Sequence, residues 1–150
     1  MILVGYFTKG GASKIYADKI ADTLKAEGKK VEIYNLKEKI PDISNFDTII
    51  LGTGVRMYMV YRRWRKILKQ KELQNKNLYM FLSSGMAMED PEKAVEKFLD
   101  PITSKYNLKP ISMVSFPGLI PEKWAENEEQ KNSVKPDLAK KWAEKILSQI

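Results

Sequence analysis

The sequence predicts an α/β fold in which a parallel sheet of five strands carries helices on both faces. Two observations lead there. Five short apolar runs alternate with longer amphipathic stretches along the 150 residues, the order that strand–helix–strand units produce. The first, third and fourth runs are apolar almost without interruption, as strands covered on both sides require. A chain of this length supports one full core, so residues 1–150 are expected to form a single domain.

Ile2-Leu3-Val4-Gly5-Tyr6-Phe7 is the first strand. Ser13 to Glu27 reads as a helix, with Ile15-Tyr16, Ile20 and Leu24 at helical spacing and Gly28 as its stop. Val31 to Leu36 alternates and reads as the second strand, and Ile40-Pro41-Asp42 breaks any helix after it. Asp47 to Gly52 is the third strand. Arg62 to Gln70 is a basic helix with Trp64, Ile67 and Leu68 on its inner face. Leu78 to Leu82 is the fourth strand, ending in Ser83-Ser84-Gly85. Asp90-Pro91-Glu92 starts a helix, since Asp caps and Pro suits the first turn. Ala94, Val95, Phe98 and Leu99 continue it, and Asp100-Pro101 either kinks or restarts it. Ile111 to Phe116 is the fifth strand. Asp137 is expected to cap the last helix, whose apolar stripe is Leu138, Ala139, Trp142, Ala143, Ile146, Leu147 and Ile150. The longest irregular stretch runs from Pro117 to Pro136.

What is missing narrows the chemistry. There is no cysteine, which excludes disulfides, thiolate catalysis and Cys-ligated metal centres. There is no histidine, which excludes a Ser-His-Asp triad, a His general base and a His-ligated metal. No metal site is expected, and no catalytic residue can be named. Redox or transfer chemistry on such a chain falls to a bound cofactor. No apolar run approaches the roughly 18 residues that span a bilayer, and MILVGYFTKG lacks a signal-peptide pattern. A cytoplasmic protein without membrane insertion is expected. The net charge of +7 favours anionic partners, although a lysine-rich solvated surface produces the same balance.

The junction of first strand and helix is unusual. Thr8, Gly10, Gly11 and Ser13 fall within six residues. A loop entering a helix N-terminus presents unpaired N–H groups and the positive end of the helix dipole, which suits a phosphate. Gly10 and Gly11 let the backbone curl closely around an oxygen. The pattern is neither a Walker A loop nor a G-x-G-x-x-G fingerprint. An ordinary turn with Ser13 as helix cap would use the same residues. Two more loops belong to the same rim, because ligands of open parallel sheets sit outside the carboxyl ends of the strands. These are G-T-G-V-R-M-Y and S-S-G-M-A-M, both rich in glycine and small hydroxyl residues, and Met57 and Tyr58 offer a wall for a flat ring. A phosphoacceptor receiver domain needs acidic residues after the first and third strands. Thr8-Lys9 and Gly52-Thr53 stand there instead.

These strings together resemble the flavodoxin superfamily. T-K-G-G-A-S-K is similar to its phosphate loop, D-T-I-I-L-G-T-G-V-R-M-Y to its third strand and first flavin loop, and L-Y-M-F-L-S-S-G to its fourth strand and second flavin loop. T-K-G-G-A-S-K-I-Y-A and G-T-G-V-R-M-Y resemble more narrowly the branch containing menaquinone-dependent protoporphyrinogen dehydrogenases. The resemblance covers nearly the whole chain. It implies a flavodoxin-like three-layer sandwich, a five-stranded parallel sheet in order 2-1-3-4-5 with helices on both faces, and non-covalent FMN. It implies that Thr8, Lys9, Gly10, Gly11, Ala12 and Ser13 cradle the phosphate. Thr53, Gly54, Val55, Arg56, Met57 and Tyr58 would line one side of the ring, and Ser83, Ser84, Gly85 and Met86 its pyrimidine edge.

The chain departs from the electron carriers it resembles in two ways. Met86 and Met88 stand where those proteins tend to have a stacking aromatic, and the net charge is positive. The stretch after the fifth strand is shorter than the insert of the protoporphyrinogen-oxidising relatives and acidic in its middle. Arg56 either faces reduced flavin or a substrate carboxylate, or braces its loop. Arg62, Arg63, Arg65 and Lys66 dock an acidic partner or form a solvated face. Trp64 is expected in the core, and Trp124 anchors its loop or covers the site. The function expected is cytoplasmic electron transfer by an FMN protein, with a partner protein or a small acceptor such as a quinone. A flavin-dependent oxidoreductase of quinone-reductase or protoporphyrinogen-dehydrogenase type uses the same site. A flavin-free basic module for nucleic acid ranks last, because the basic residues are scattered over several helices.

Overall fold

The structure is a computed structural model that describes residues 1–7, 11–56, 59–60, 62–118 and 134–150. In chain order its elements are β1 (Ile2–Phe7), α1 (Ala12–Ala26), β2 (Val31–Asn35), β3 (Thr48–Arg56), β4 (Met59–Val60), α2 (Arg62–Leu68), a 3-10 turn (Lys71–Asn75), β5 (Asn77–Ser84), a second 3-10 turn (Gly85–Met88), α3 (Pro91–Phe98), α4 (Asp100–Lys105), β6 (Ser112–Pro117) and α5 (Pro136–Leu147). Five strands form a parallel sheet in the order β2-β1-β3-β5-β6, and β4 folds back antiparallel on the end of β3. The five main strands therefore lie in the expected order 2-1-3-4-5.

Strand alternation sorts the core into two layers. Leu3, Phe7, Ile49, Leu51, Leu78, Met80 and Leu82 face α2, α3 and α4, where Trp64, Ile67, Leu68, Ala94, Phe98 and Ile102 meet them. Ile2, Val4, Tyr6, Ile50, Tyr79 and Phe81 face α1 and α5, against Tyr16, Ile20, Leu24, Trp142 and Ile146. β1 is buried along its whole length and β5 along all but its first residue, which explains their unbroken apolar runs. β2, on the edge, is only partly covered.

Several local expectations change. The cap of α1 is Gly11, at φ 97°, and Ser13 lies inside the first turn. Ile15, placed by its spacing on the inner face, is exposed, because the inward stripe runs through Tyr16, Ala17, Ile20 and Leu24. Asp100-Pro101 restarts the helix as α4, with Pro in the first turn, where its missing N–H costs nothing. Asp90 caps α3 as expected, accepting from the Lys93 N–H at 3.1 Å. Asp137 does not cap α5. Lys135 holds that position without a side-chain bond, and Asp137 lies in the first turn, where its charge still suits the dipole. Leu138 and Ile150 drop out of the α5 stripe and are exposed. The third and fourth strands outrun their apolar cores. Thr53 to Arg56 continue β3, and Ser83 and Ser84 end β5. Trp124 and the rest of 119–133 lie outside the described residues.

Candidate functional site

The rim at the carboxyl ends of the strands is where the three glycine-bearing segments meet. Of the expected phosphate residues, Gly11, Ala12 and Ser13 are described; Thr8, Lys9 and Gly10 lie outside the described residues, as do Met57 and Tyr58. For Val55 and Arg56 the backbone is described, paired with Val60 and Met59 in the β3–β4 hairpin.

Gly11 sits in the left-handed region, and a Cβ built on it would meet nothing within 4 Å. The helix ladder of α1 begins with the Ile15 N–H on the Gly11 carbonyl. The N–H groups of Ala12, Ser13 and Lys14 thus have no carbonyl within the helix to accept them. No acidic residue stands in that first turn. The Lys14 ammonium is drawn away to Asp18 one turn on, at 2.7 Å. That bond and the Asp18 charge push its pKa up. Among the described residues, the donors left at the helix start are neutral N–H groups and the Ser13 hydroxyl, and space stands open beside Gly11. This is a fit for a phosphate.

The Ser13 hydroxyl is fully buried and bonds the Ser83 hydroxyl at 2.9 Å. Gly54 pairs with Ser83 across the β3–β5 ladder. Thr53 is buried, and its hydroxyl donates to the Gly54 carbonyl at 3.2 Å. Ser84 turns its hydroxyl back to accept the Ala87 N–H at 3.3 Å, which fixes the 3-10 turn that follows. Gly85 is exposed with nothing within 4 Å of a Cβ, and Met86 packs against the α2–α4 core layer. The rim segments thus present backbone and open space, while the Ser83 and Ser84 hydroxyls are turned toward the protein, onto Ser13 and the Ala87 N–H.

Two residues the sequence did not single out hold this rim together. Tyr16 donates its phenol to the Pro117 carbonyl and accepts the Lys135 N–H at 3.1 Å, so both ends of residues 118–134 are tied to α1. Its ring lies 4.7 Å from that of Phe116. Burial pushes the Tyr16 phenol up, against the lowering effect of the Lys135 N–H. Gly118 donates its N–H to the Ser84 carbonyl at 2.8 Å, and a Cβ there would come within 3.0 Å of the Ser84 backbone. Gly118 fell in the stretch read as irregular from Pro117 to Pro136, and Tyr16 read as one more apolar residue of a helix.

Among the described residues, no group of three or more His, Cys, Asp or Glu is placed to hold a metal ion. Two cavities lie elsewhere. One of about 480 Å³ lies between α1 and α5, lined in part by Lys19, Asp22, Lys140 and Glu144. One of about 570 Å³ lies beside Met1, Glu32, Tyr34 and Asp42. Both are lined by mixed charges. No helix among the described residues is long and apolar enough to cross a membrane.

A family model described as a flavodoxin domain matches residues 3–120. The chain belongs to the flavodoxin-domain family. Oxidised flavodoxin 1 from Bacillus cereus superposes with a TM-score of 0.69 at 14% identity, covering 99% of this chain and 98% of that one. The flavodoxin of Streptococcus pneumoniae TIGR4 gives 0.67 at 17%, over 99% of each chain. A Fusobacterium nucleatum flavodoxin bound to flavin mononucleotide gives 0.65 at 19%, covering 99% and 98%. At such identities the likeness is one of fold. No curated protein matches the chain in sequence. The flavodoxin-domain match takes in the strands and segments that form the rim, from β1 to just beyond β6.

Proposed function

We propose that this flavodoxin-domain protein binds FMN without a covalent bond and carries electrons in the cytoplasm. The observation that supports the reading most is the start of α1, where N–H groups that no helix carbonyl accepts and the open space at Gly11 meet no acid in the first turn. That is the chemistry a dianionic phosphate needs. Gly11, Ala12 and Ser13 hold the phosphate, together with Thr8, Lys9 and Gly10. Thr53 to Tyr58 flank one side of the ring. Met86 and the backbone of Ser84 and Gly85 flank its pyrimidine edge.

The flavin, when bound, supplies one- and two-electron chemistry that no side chain of this chain offers. The chain's own part is to orient the ring and set its surroundings. Gly54 leaves its peptide free to turn toward the ring, and the Thr53 hydroxyl on the Gly54 carbonyl holds one orientation of that peptide. Met86 supplies a polarisable apolar contact where an aromatic would stack more rigidly. The acceptor is a partner protein or a small molecule such as a quinone.

The test is direct. The purified chain is mixed with FMN, freed of excess, and its visible spectrum recorded through a dithionite titration. A retained yellow chromophore that bleaches and returns on reoxidation supports the reading; a colourless protein after FMN addition defeats it. Steady-state turnover with NAD(P)H, quinone or protoporphyrinogen separates an enzyme from a carrier.

A further inference from the structure

The bond between Ser13 and Ser83 leaves a proton over. A serine hydroxyl has one proton and two lone pairs. One bond between the two oxygens uses a single proton, and the second has no acceptor among the described residues. Both side chains are buried, Ser13 completely and Ser83 to 5% exposure. A donor so placed is costly until something accepts it.

Placement says which hydroxyl has the spare proton. Strand alternation puts Tyr79, Phe81 and Ser83 on the face of the sheet that α1 covers. On β3, the neighbouring Gly54 has no side chain on that face, so α1 comes within reach of β5. Ser83 is therefore a strand residue facing a helix. Ser13 stands in the first turn of that helix, among N–H groups that no carbonyl of the helix accepts. With an anion held at the helix start, the arrangement that leaves no donor stranded has Ser83 donating to Ser13 Oγ and Ser13 donating to that anion.

The geometry points to Ser83 as a positioning residue for the phosphate of the bound cofactor: its hydroxyl fixes Ser13 Oγ and aims the Ser13 proton at the anion. The inference rests on the FMN reading above. A hydroxyl that accepts one hydrogen bond also donates more strongly, because the two bonds polarise each other. Its acceptor here is charged, which strengthens the bond further. The contribution matters because the Lys14 ammonium is engaged by Asp18. Without Ser83, the Ser13 hydroxyl is free to rotate among its staggered positions and loses that direction.

The experiment compares FMN with riboflavin, which carries the same ring without the phosphate, by flavin fluorescence titration of the apoprotein. Ser83→Ala is expected to weaken FMN binding by about threefold to tenfold, the equivalent of one directed hydrogen bond, and to leave riboflavin binding within about twofold of the parent. Ser83→Thr, which keeps the hydroxyl, restores FMN affinity. In a Ser13→Ala background, Ser83→Ala has no further effect on FMN, because the two act through one bond. Equal losses for FMN and riboflavin overturn the inference, as do unchanged FMN affinity or additive losses in the double variant. Riboflavin affinity serves as the check that Ser83→Ala folds. A parent chain that binds neither flavin overturns the functional reading itself, and this inference with it.

Discussion

The outer end of the Phe81 ring occupies the space beside Gly52 on the neighbouring strand, so closely that a Cβ on Gly52 would overlap its Cζ and Cε atoms. The two residues are register partners in the β3–β5 ladder. Phe81 is fully buried and cannot swing aside, since Phe116 and Trp142 stand 6.0 and 6.1 Å from it, centroid to centroid. Gly52 is thus a packing requirement of the sheet's α1–α5 face. Gly52→Ala is expected to cost about 1–3 kcal/mol of stability through overpacking, lowering the melting temperature by roughly 2–10 °C for a chain of this size. Phe81→Leu in the same chain should recover part of the loss. Strictly additive effects of the two substitutions in a double-mutant cycle would contradict this account.

Tyr16 predicts a local effect rather than a global one. Its phenol joins the end of β6 to the start of α5 through the Pro117 carbonyl and the Lys135 N–H. Tyr16→Phe keeps the ring and its contact with Phe116 but leaves a buried carbonyl without its donor, at a cost of about 1–3 kcal/mol. Amide hydrogen exchange at Lys135 should quicken far more than in the middle of α1. Equal protection at Lys135 in parent and variant would show that the tie is not formed in solution.

Tyr79 carries the opposite expectation. It is fully buried, and its hydroxyl has no partner among the described residues. Tyr79→Phe removes an unsatisfied polar atom and should stabilise the chain by about 1 kcal/mol at neutral pH. Burial pushes the Tyr79 phenol up from 10.0, and the phenols of Tyr6 and Tyr16 rise for the same principal reason. A raised pKa means that the folded chain keeps its proton where the unfolded chain has begun to lose it. Stability is therefore complete below about pH 10 and falls as pH rises past the unfolded value toward the folded one. Denaturant melts between pH 7 and 11 should show this fall, and it should be shallower in Tyr79→Phe. An equal slope in both chains would remove Tyr79 from the alkaline response.

The sheet was legible in the sequence because burial writes itself into composition. β1 and β5 are covered on both faces, so Ile2 to Phe7 and Leu78 to Leu82 read as unbroken apolar runs. The rim was legible as a cluster of glycines and hydroxyls, but not as a set of directions. Thr53 to Arg56 read as a loop because glycine interrupts the apolar pattern, although ladder bonds carry the strand on into a hairpin. Ser83 read as a rim residue, and only the pleat shows that its hydroxyl faces α1. The phenol of Tyr16 and the close approach of Gly118 to Ser84 depend on residues about 100 and 34 positions apart, a separation that periodicity does not register. Ile15 and Leu138 failed as core residues because an apolar stripe on a helix is narrower than the set of apolar residues near it.

Gly11 tests the anion cradle independently of the serines. Its φ of 97° is a region that residues with a Cβ rarely adopt, while the space a Cβ would enter is open. Gly11→Ala therefore meets backbone strain and no clash, and should cost about 1 kcal/mol of stability. If the chain relieves that strain by turning the 11–12 peptide, the first N–H groups of α1 swing away from the anion. FMN affinity should then fall by about tenfold, while riboflavin affinity stays nearly constant. Gly11→Asn, which tolerates the left-handed region better, should lose less of both stability and FMN affinity. A Gly11→Ala chain that is destabilised as expected yet binds FMN as tightly as the parent would show that the amino end of α1 is not where the phosphate is held.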